Sequence, residues 1–229
     1  KHECPVTVDV ATYKAEFRAH HYRGRLRPRQ AYAFGWIWWW ARLAAHAPGL
    51  VNWLTHSRPF ATLAHWAAGA HPARPFPRLA DRTFRSRFLA ERESANSDGP
   101  VVIFWADTST NHFHPESALA AVRVLERLGY RVVVPRTDLC CGRPLYDYGF
   151  LGLARKLLTR ILDELGEQVM QGVKIVGVEP SCIATFRDEL TGLLPHDRRA
   201  QRLKEQTFLL SEFLDIHAAD ADLGRLTGT

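Results

Sequence analysis

The alternation of apolar and polar residues is most regular between residues 100 and 215. Short apolar runs that suit strands alternate there with longer segments whose apolar side chains recur at helical spacing. The predicted strands are residues 101–105, 131–134 and 173–178, and the predicted helices between them are residues 115–128 and 151–168. Strand, helix, strand, helix, strand is typical of right-handed βαβ crossovers, so the pattern predicts a parallel sheet.

The rest of the chain has a mainly helical pattern. Further helices are predicted over residues 9–18, 29–47, 182–193 and 198–216. A polar stretch at residues 91–100 ends in turn formers and marks the predicted domain boundary. The predicted fold class is therefore α/β, with a small parallel sheet and flanking helices over residues 96–229. A mainly helical region over residues 1–95 precedes it.

Charge and cysteine content indicate which partners and which cellular compartment to expect. The 229 residues carry a net charge of +6, and a basic excess suits nucleic acid, an anionic membrane or an acidic partner. The sequence has no zinc-finger spacing, lysine tract or RNA-binding signature, so no nucleic-acid partner is expected. Four cysteines without a secretory signal indicate a reducing compartment, and we expect a cytoplasmic protein. Because the chain starts at Lys1, we expect it to be a piece of a longer protein.

Three cysteines fall in loops that follow the predicted strands. Cys140 and Cys141 come after the second strand, and Cys182 comes after the third. Because ligands bind beyond the carboxyl ends of parallel strands, these loops should meet residues 107–114, which follow the first strand. Converging thiolates suit an iron–sulfur cluster or zinc, and adjacent cysteines do not easily pair with each other.

Three other interpretations of these cysteines stay open. Free cysteines are often buried as small apolar side chains. Three sulfurs and one histidine could instead hold zinc in a zinc-stabilised interaction domain. A reversible disulfide between the two loops would make a thiol–disulfide redox module.

The cysteines also stand in a recognisable order. Cys-Cys-Gly-Arg-Pro-Leu at residues 140–145, followed by Glu-Pro-Ser-Cys at residues 179–182, resembles the cysteine-rich CCG domain. That domain occurs in heterodisulfide reductases and in the iron–sulfur halves of FAD-linked D-2-hydroxyacid dehydrogenases. The resemblance implies that Cys140, Cys141 and Cys182 bind a 4Fe–4S cluster.

The sequence departs from that family at two positions. Thr108 and Thr185 stand where the family often has cysteines. A site built from cysteines alone is therefore incomplete. His112, His114 or Asp107 is a candidate for the remaining metal ligand, and we include His112 in the predicted site.

The start of the chain carries a second resemblance. Residues 4–17, which begin Cys4-Pro5, are similar to the stretch that leaves the ferredoxin module in flavin-linked dehydrogenases fused to an iron–sulfur half. The resemblance implies that Cys4 is a 4Fe–4S ligand in a truncated ferredoxin-type module. It also implies a partner, the flavin-binding dehydrogenase domain or subunit, where FAD oxidises a D-2-hydroxyacid. Electrons would pass to a quinone or another acceptor, and this part alone is not expected to be catalytic.

Residues 31–41 are uncharged and contain four tryptophans. The segment is too short to cross a bilayer, which needs about 20 apolar residues. Tryptophans near the arginines of residues 23–29 suit a membrane interface, so a position peripheral to the inner membrane stays open. We expect the segment to pack against another part of the protein.

Overall fold

The computed structural model describes residues 8–91 and 96–217 of the chain. The helices up to residue 91 are α1 (Val10–His21), α2 (Arg29–Gly35), α3 (Ile37–Ala44), α4 (Pro48–His56), α5 (Phe60–Ala68) and α6 (Phe84–Glu91). The prediction of one helix over residues 29–47 was wrong at Trp36, where the chain turns between α2 and α3. A Cβ atom on Gly35 would lie 3.3 Å from the ring of Phe150, and the Trp36 ring also packs against that ring. The turn therefore lets both residues contact Phe150.

The sheet has four strands in the order β2-β1-β3-β4, and all pairs are parallel. The strands are β1 (Val101–Trp105), β2 (Arg131–Val133), β3 (Lys174–Gly177) and β4 (Thr207–Leu209). The predicted α/β class, with a parallel sheet after a helical region, is confirmed. The division into domains at residues 95 and 96 stays a prediction, and residues 92–95 lie outside the described ranges.

Helices cover both faces of this sheet. They are α7 (Thr108–His112), α8 (Pro115–Arg127), α9 (Arg143–Asp147), α10 (Leu151–Met170), α11 (Pro180–Ala184), α12 (Leu190–Leu193), α13 (Arg198–Gln206) and α14 (Leu210–His217), with a π-helical turn at Thr185–Glu189. Ile103 and Trp105 of β1 pack into one apolar cluster with α10, α13 and the π-helical turn. Val102 and Phe104 pack into the other with α6, α8 and α14. Burial on both faces holds the strand ends, and with them the loops that form the site, in fixed positions.

The uncharged segment at residues 31–41 packs against the α/β part, as expected. Trp36 and Trp39 contact a buried cluster formed by Leu145, Tyr146 and Ala154. No helix within residues 8–91 and 96–217 is both long enough and apolar enough to span a bilayer.

The short strand β4 interrupts the helix predicted over residues 198–216, so that prediction was wrong in its middle. Pairing with β4 gives partners to backbone groups at the edge of β3. Thr207 and Phe208 are also residue types that favour strands. Arg187 of the π-helical turn fixes this strand, because its guanidinium donates to the carbonyl oxygen of Thr207 and to the carboxylate of Glu212.

Glu212→Gln is expected to lower the free energy of unfolding by up to about 1 kcal/mol at neutral pH, a small effect because the ion pair is partly exposed. Hydrogen bonds from Arg187 lower the pKa of Glu212. The stabilisation is therefore present above the ordinary carboxylate pKa and is lost as the pH falls through the lowered value. Denaturant titrations at neutral and acidic pH measure the difference. Glu205→Gln is the control, since Glu205 pairs with Arg202 at a more exposed position, and equal losses in both variants would contradict the role of Glu212.

The first helix, α1, is held against residues 148–149, which follow α9. The guanidinium of Arg27 donates to the carbonyl oxygens of Arg18, Tyr148 and Gly149 at 2.9–3.1 Å. Gly149 has a φ of +74°, and a Cβ atom there would lie 2.7 Å from the backbone nitrogen of Ala19. The backbones of α1 and of the turn after α9 are therefore in direct contact.

Candidate functional site

The loops after β1, β2 and β3 each lead into a short helix. Asp107 caps α7 and Glu179 caps α11, each through its side-chain carboxylate. Gly142 precedes α9 with a φ of +76°, and a Cβ atom there would lie 3.3 Å from Cα of Ala154 in α10. Glycine thus allows the second loop to lie close against α10. These local features hold the three loops side by side at the carboxyl edge of the sheet.

The loops bring three cysteines to one wall of a cavity. The Sγ atoms of Cys141 and Cys182 are 3.0 Å apart, and the backbone N–H of Gly142 donates to Sγ of Cys140 at 3.4 Å. All three cysteines are buried, each at most 7% exposed. The structure therefore brings together the three residues predicted as ligands, while their roles as ligands stay predictions. Cys4 lies outside the described residues, and its role also stays a prediction.

Contact and burial favour the protonated forms of these thiols. A hydrogen bond with Cys141, together with burial, raises the pKa of Cys140 well above its ordinary value. For Cys141, the hydrogen bond with Cys140 lowers the pKa, but the hydrogen bond with Cys182 and burial raise it by more. Metal ligands must be thiolates, so binding a metal here would release these protons.

Arg143 is a candidate functional residue that was not predicted from the sequence. It lines the same cavity, and its Nη1 donates to Glu189 at 2.7 Å while its Nε donates to Asp147 at 3.2 Å. Burial lowers the pKa of Arg143, but the carboxylates of Glu189 and Asp147 raise it by more. The guanidinium therefore stays positive beside the sulfurs. Its position directly after Cys-Cys-Gly was the signal that could have identified it.

The cavity lies between the cysteine loops and the helical region and has a volume of about 880 Å³. We call it the cysteine cavity. Its loop wall comprises the three cysteines with Asp107, Thr108, Ser109, Phe113, His114, Arg143, Pro144, Glu179 and Ser181. Its helical wall, from α2, α3, α5 and the connector after α5, comprises Arg29, Tyr32, Ala33, Phe34, Ile37, Trp40, Ala64, Ala67, Ala68, Phe76 and Pro77. The helical wall was not predicted from the sequence. The three alanines of α5 recur at helical spacing, and this row of small side chains was a signal that one face of the helix borders a cavity.

His112 is not among the residues that line the cysteine cavity. Its Nε2 lies 3.7 Å from Oδ2 of Asp138 and 3.2 Å from Nδ2 of Asn111. His114 and Asp107 do line the cavity, but the Asp107 carboxylate accepts hydrogen bonds in the cap of α7. Within the described ranges, no group of three or more His, Cys, Asp or Glu side chains has the arrangement of a metal site. The structure does not bring His112 to the cysteines, and its ligand role stays a prediction.

A family comparison covers the part of the chain that surrounds this site. Residues 105–187 match the family model of the cysteine-rich domain, CCG. The matched range begins at the last residue of β1 and ends within the π-helical turn. It therefore includes all three loops and all three buried cysteines.

Curated relatives extend the similarity beyond that range. The chain is 28% identical over 156 residues to a subunit of the anaerobic glycerol-3-phosphate dehydrogenase of Escherichia coli (strain K12), covering 67% of this chain and 39% of that protein. It is 25% identical over 205 residues to D-2-hydroxyglutarate dehydrogenase of the same strain, covering 86% of this chain and 20% of that protein.

A third relative is shorter. Lactate utilization protein A of Bacillus velezensis is 33% identical over 106 residues, covering 44% of this chain and 42% of that protein. The chain thus spans less than half the length of each of these three relatives. No solved structure matches the chain significantly.

Proposed function

We propose that the chain is the iron–sulfur electron-transfer part of a flavin-linked dehydrogenase, because residues 105–187 match the family model of the cysteine-rich domain, CCG. The observation that carries the proposal is the grouping of three buried cysteines at the carboxyl edge of a parallel sheet. Two of the relatives are named as a dehydrogenase or as part of one, which supports redox chemistry over a zinc-stabilised interaction domain.

The chemistry of the donor set fits an iron–sulfur cluster. The cysteines offer three soft sulfur ligands in buried, largely apolar surroundings. Thr108 lines the cavity, and its hydroxyl is hydrogen-bonded with Cys140. Thr185 instead donates its hydroxyl to the carbonyl oxygen of Ser181. Of the two threonines at positions where the family has cysteines, Thr108 is therefore the one that faces the sulfurs.

A bound cluster would supply one-electron chemistry at this site. The residues of the chain set the conditions for it. Arg143 holds a positive charge beside Cys141 and offsets part of the negative charge of the thiolates. The backbone N–H of Gly142 points to Cys140, and such hydrogen bonds stabilise thiolates and tune metal sites. Most residues of the helical wall are aromatic or aliphatic, and such surroundings would strengthen both effects.

The proposal includes a source of electrons outside the described residues. A flavin-binding domain or subunit would hold FAD and oxidise a D-2-hydroxyacid, and Cys4 would bind a 4Fe–4S cluster in a ferredoxin-type module. The likeness to D-2-hydroxyglutarate dehydrogenase over 86% of the chain supports this arrangement. Electrons would leave to a quinone or another acceptor. The protein would work in the cytoplasm or at the surface of the inner membrane.

Metal analysis of anaerobically purified protein, together with its visible spectrum, tests the proposal. We expect iron and acid-labile sulfide, with broad visible absorption that dithionite bleaches. Colourless protein that carries zinc would favour the zinc-stabilised interaction domain instead. Protein that takes up neither metal, even after incubation with iron, sulfide and a thiol reductant, would overturn both metal-based functions.

One distance favours a second candidate function, a thiol–disulfide redox module. The Sγ atoms of Cys141 and Cys182 are 3.0 Å apart, about 1 Å more than the length of a disulfide bond. In that step each thiol would release one proton and one electron, one S–S bond would form, and a disulfide-containing oxidant would be reduced to two thiols. Thiol titration before and after reduction tests this function. A rise by one pair of thiols on reduction supports it, and an unchanged count rejects it.

A further inference from the structure

The connector between α5 and α6, residues 69–83, has no regular secondary structure, yet Phe76 and Pro77 in it line the cysteine cavity. Because such a segment has no ladder of backbone hydrogen bonds, its polar groups need other partners. Asn52 of α4 provides two of them. Its side-chain amide donates to the carbonyl oxygen of Leu79 at 2.9 Å and accepts from the N–H of Leu79 at 2.8 Å. Two histidines provide the next contacts.

These histidines, His56 of α4 and His65 of α5, contact the connector in the same way. Nε2 of His56 lies 3.1 Å from the carbonyl oxygen of Phe76. Nε2 of His65 lies 2.8 Å from the carbonyl oxygen of Arg74. In each ring, Nδ1 lies 2.6–2.8 Å from a carbonyl oxygen one turn earlier in its own helix. Carbonyl oxygens only accept, so a ring donates to both partners only when it carries two N–H groups, as the imidazolium does.

The two histidines differ in what their neutral rings can do. Oγ1 of Thr55 lies 3.0 Å from Nδ1 of His56, so this hydroxyl can donate to the nitrogen once it is unprotonated. Nε2 of His56 then keeps its bond to the connector. Within residues 8–91 and 96–217, the structure gives the buried His65 no such donor. An unprotonated Nδ1 of His65 would point its lone pair at the oxygen of Ala61, only 2.6 Å away, so the neutral ring has to turn away from one partner.

We propose that His65 is a pH-sensitive link, which holds the connector against α5 while its ring carries two N–H groups and loosens when the ring becomes neutral. Ala67 and Ala68 of α5 and Phe76 of the connector line the same cavity, so the link holds two parts of the helical wall together. The ring centroids of His65 and Phe76 are 4.5 Å apart, which adds cation–π attraction in the charged form. The link involves no cysteine, and the inference therefore goes beyond the proposed function.

The environment of His65 favours its charged form. The carbonyl oxygen of Arg74, followed by that of Ala61, raises the pKa of His65 above its ordinary value, and burial lowers it by less. Because the pKa is raised in the folded protein, the link contributes its full stabilisation below the ordinary histidine pKa. That stabilisation is lost as the pH rises through the raised value. The helical wall is therefore held more firmly in mild acid than in mild alkali.

The charged groups nearby do not account for this behaviour. Those on α2, on α4 and on the segments before and after α5 are Arg29, Tyr32, His56, Arg58, His71, Arg74, Arg78, Asp81 and Arg82. The pKa shift of His65 arises from backbone oxygens and burial rather than from any of these side chains. His71 would give the opposite pH dependence. Its Nδ1 accepts from the backbone N–H of Ala73 at 3.2 Å, and protonation would break that bond.

Hydrogen–deuterium exchange of the full chain over residues 69–80, at about pH 5.5 and about pH 8.5, tests the link. After correction for the intrinsic pH dependence of exchange, we expect about fivefold faster exchange at the higher pH, because one hydrogen bond is lost. His65→Gln has no ring to titrate and should show the faster corrected rate at both pH values. His56→Gln is the matched control at the other histidine and should keep the pH-dependent difference of the unchanged chain.

Equal corrected rates at the two pH values in the unchanged chain, or a difference that persists in His65→Gln, would overturn the inference. If His65→Gln does not fold, the nitrogen NMR shifts of the His65 ring give the answer at about pH 6.5, where an ordinary histidine is half protonated. A ring that is mostly doubly protonated supports the link, and one that is half protonated or less overturns it. Neither readout depends on iron, so each outcome is separate from that of the proposed function.

Discussion

Protein carrying Cys141→Ser is expected to purify without iron and sulfide, whereas the unchanged chain contains both. Cys141 is the central sulfur of the site, because it contacts both Cys182 and Cys140. Serine keeps the shape of the side chain but replaces a soft sulfur ligand by a hard hydroxyl that stays protonated. Iron, sulfide and visible absorption, each per mole of chain, measure the effect. Cys182→Ser should behave in the same way.

Thr159→Ser is the control for these cysteine variants, since Thr159 lies on α10 and donates its hydroxyl to the backbone of Arg155, away from the cavity lining. It should retain full iron and sulfide. Unchanged metal content in Cys141→Ser would falsify cluster binding by these loops. If the cysteines instead serve as a thiol–disulfide pair, Cys141→Ser would change only the number of thiols that reduction releases.

Gly149→Ala is expected to cost several kcal/mol of folding free energy and to release α1 from the α/β part. Two causes add. The φ of +74° is unfavourable for alanine, and the new Cβ atom would lie 2.6 Å from Cβ of Arg18 and 2.7 Å from the backbone nitrogen of Ala19. A backbone atom cannot move aside as a flexible side chain can, so α1 itself must shift. The three carbonyl contacts of Arg27 would then be lost.

Gly24→Ala separates the two causes. Gly24 has a φ of +71°, but a Cβ atom there would meet no atom within 4 Å. Gly24→Ala should therefore lower the free energy of unfolding only by the cost of the unfavourable φ, about 1 kcal/mol. Denaturant titration gives both values, and protease sensitivity near α1 reports its release. Equal costs for the two variants would show that the contact between α1 and the turn after α9 does not stabilise the protein.

The fold was predictable where the local sequence and its surroundings favour the same structure. The residues of β1 are all apolar, and a short run of this kind is typical of a strand covered on both faces. Residues 207–209 lie inside a segment with helical spacing, and the exposed edge of β3 makes them a strand instead. Only the assembled sheet contains that edge, so a local pattern could not predict it.

The candidate site also has a part that could be predicted from the sequence and a part that could not. The rule that loops converge at the carboxyl edge of a parallel sheet was sufficient to bring Cys140, Cys141 and Cys182 together. It gives no direction for an individual side chain within a loop, and the short helix α7 places His112 beside Asp138 instead. The helical wall could not be predicted from the sequence for a different reason. It depends on how α2, α3 and α5 pack on the loops, which the periodicity of each segment does not specify.

The two walls of the cysteine cavity come from stretches of the chain that are far apart in sequence. One wall carries the three cysteine sulfurs, and the other consists mostly of aromatic and aliphatic residues. Substitutions in residues 32–77 can therefore change the shape and polarity of the space while the three cysteines stay untouched. Exchanging the helical segment between related chains would therefore change which molecules fit the cavity without altering its cysteines.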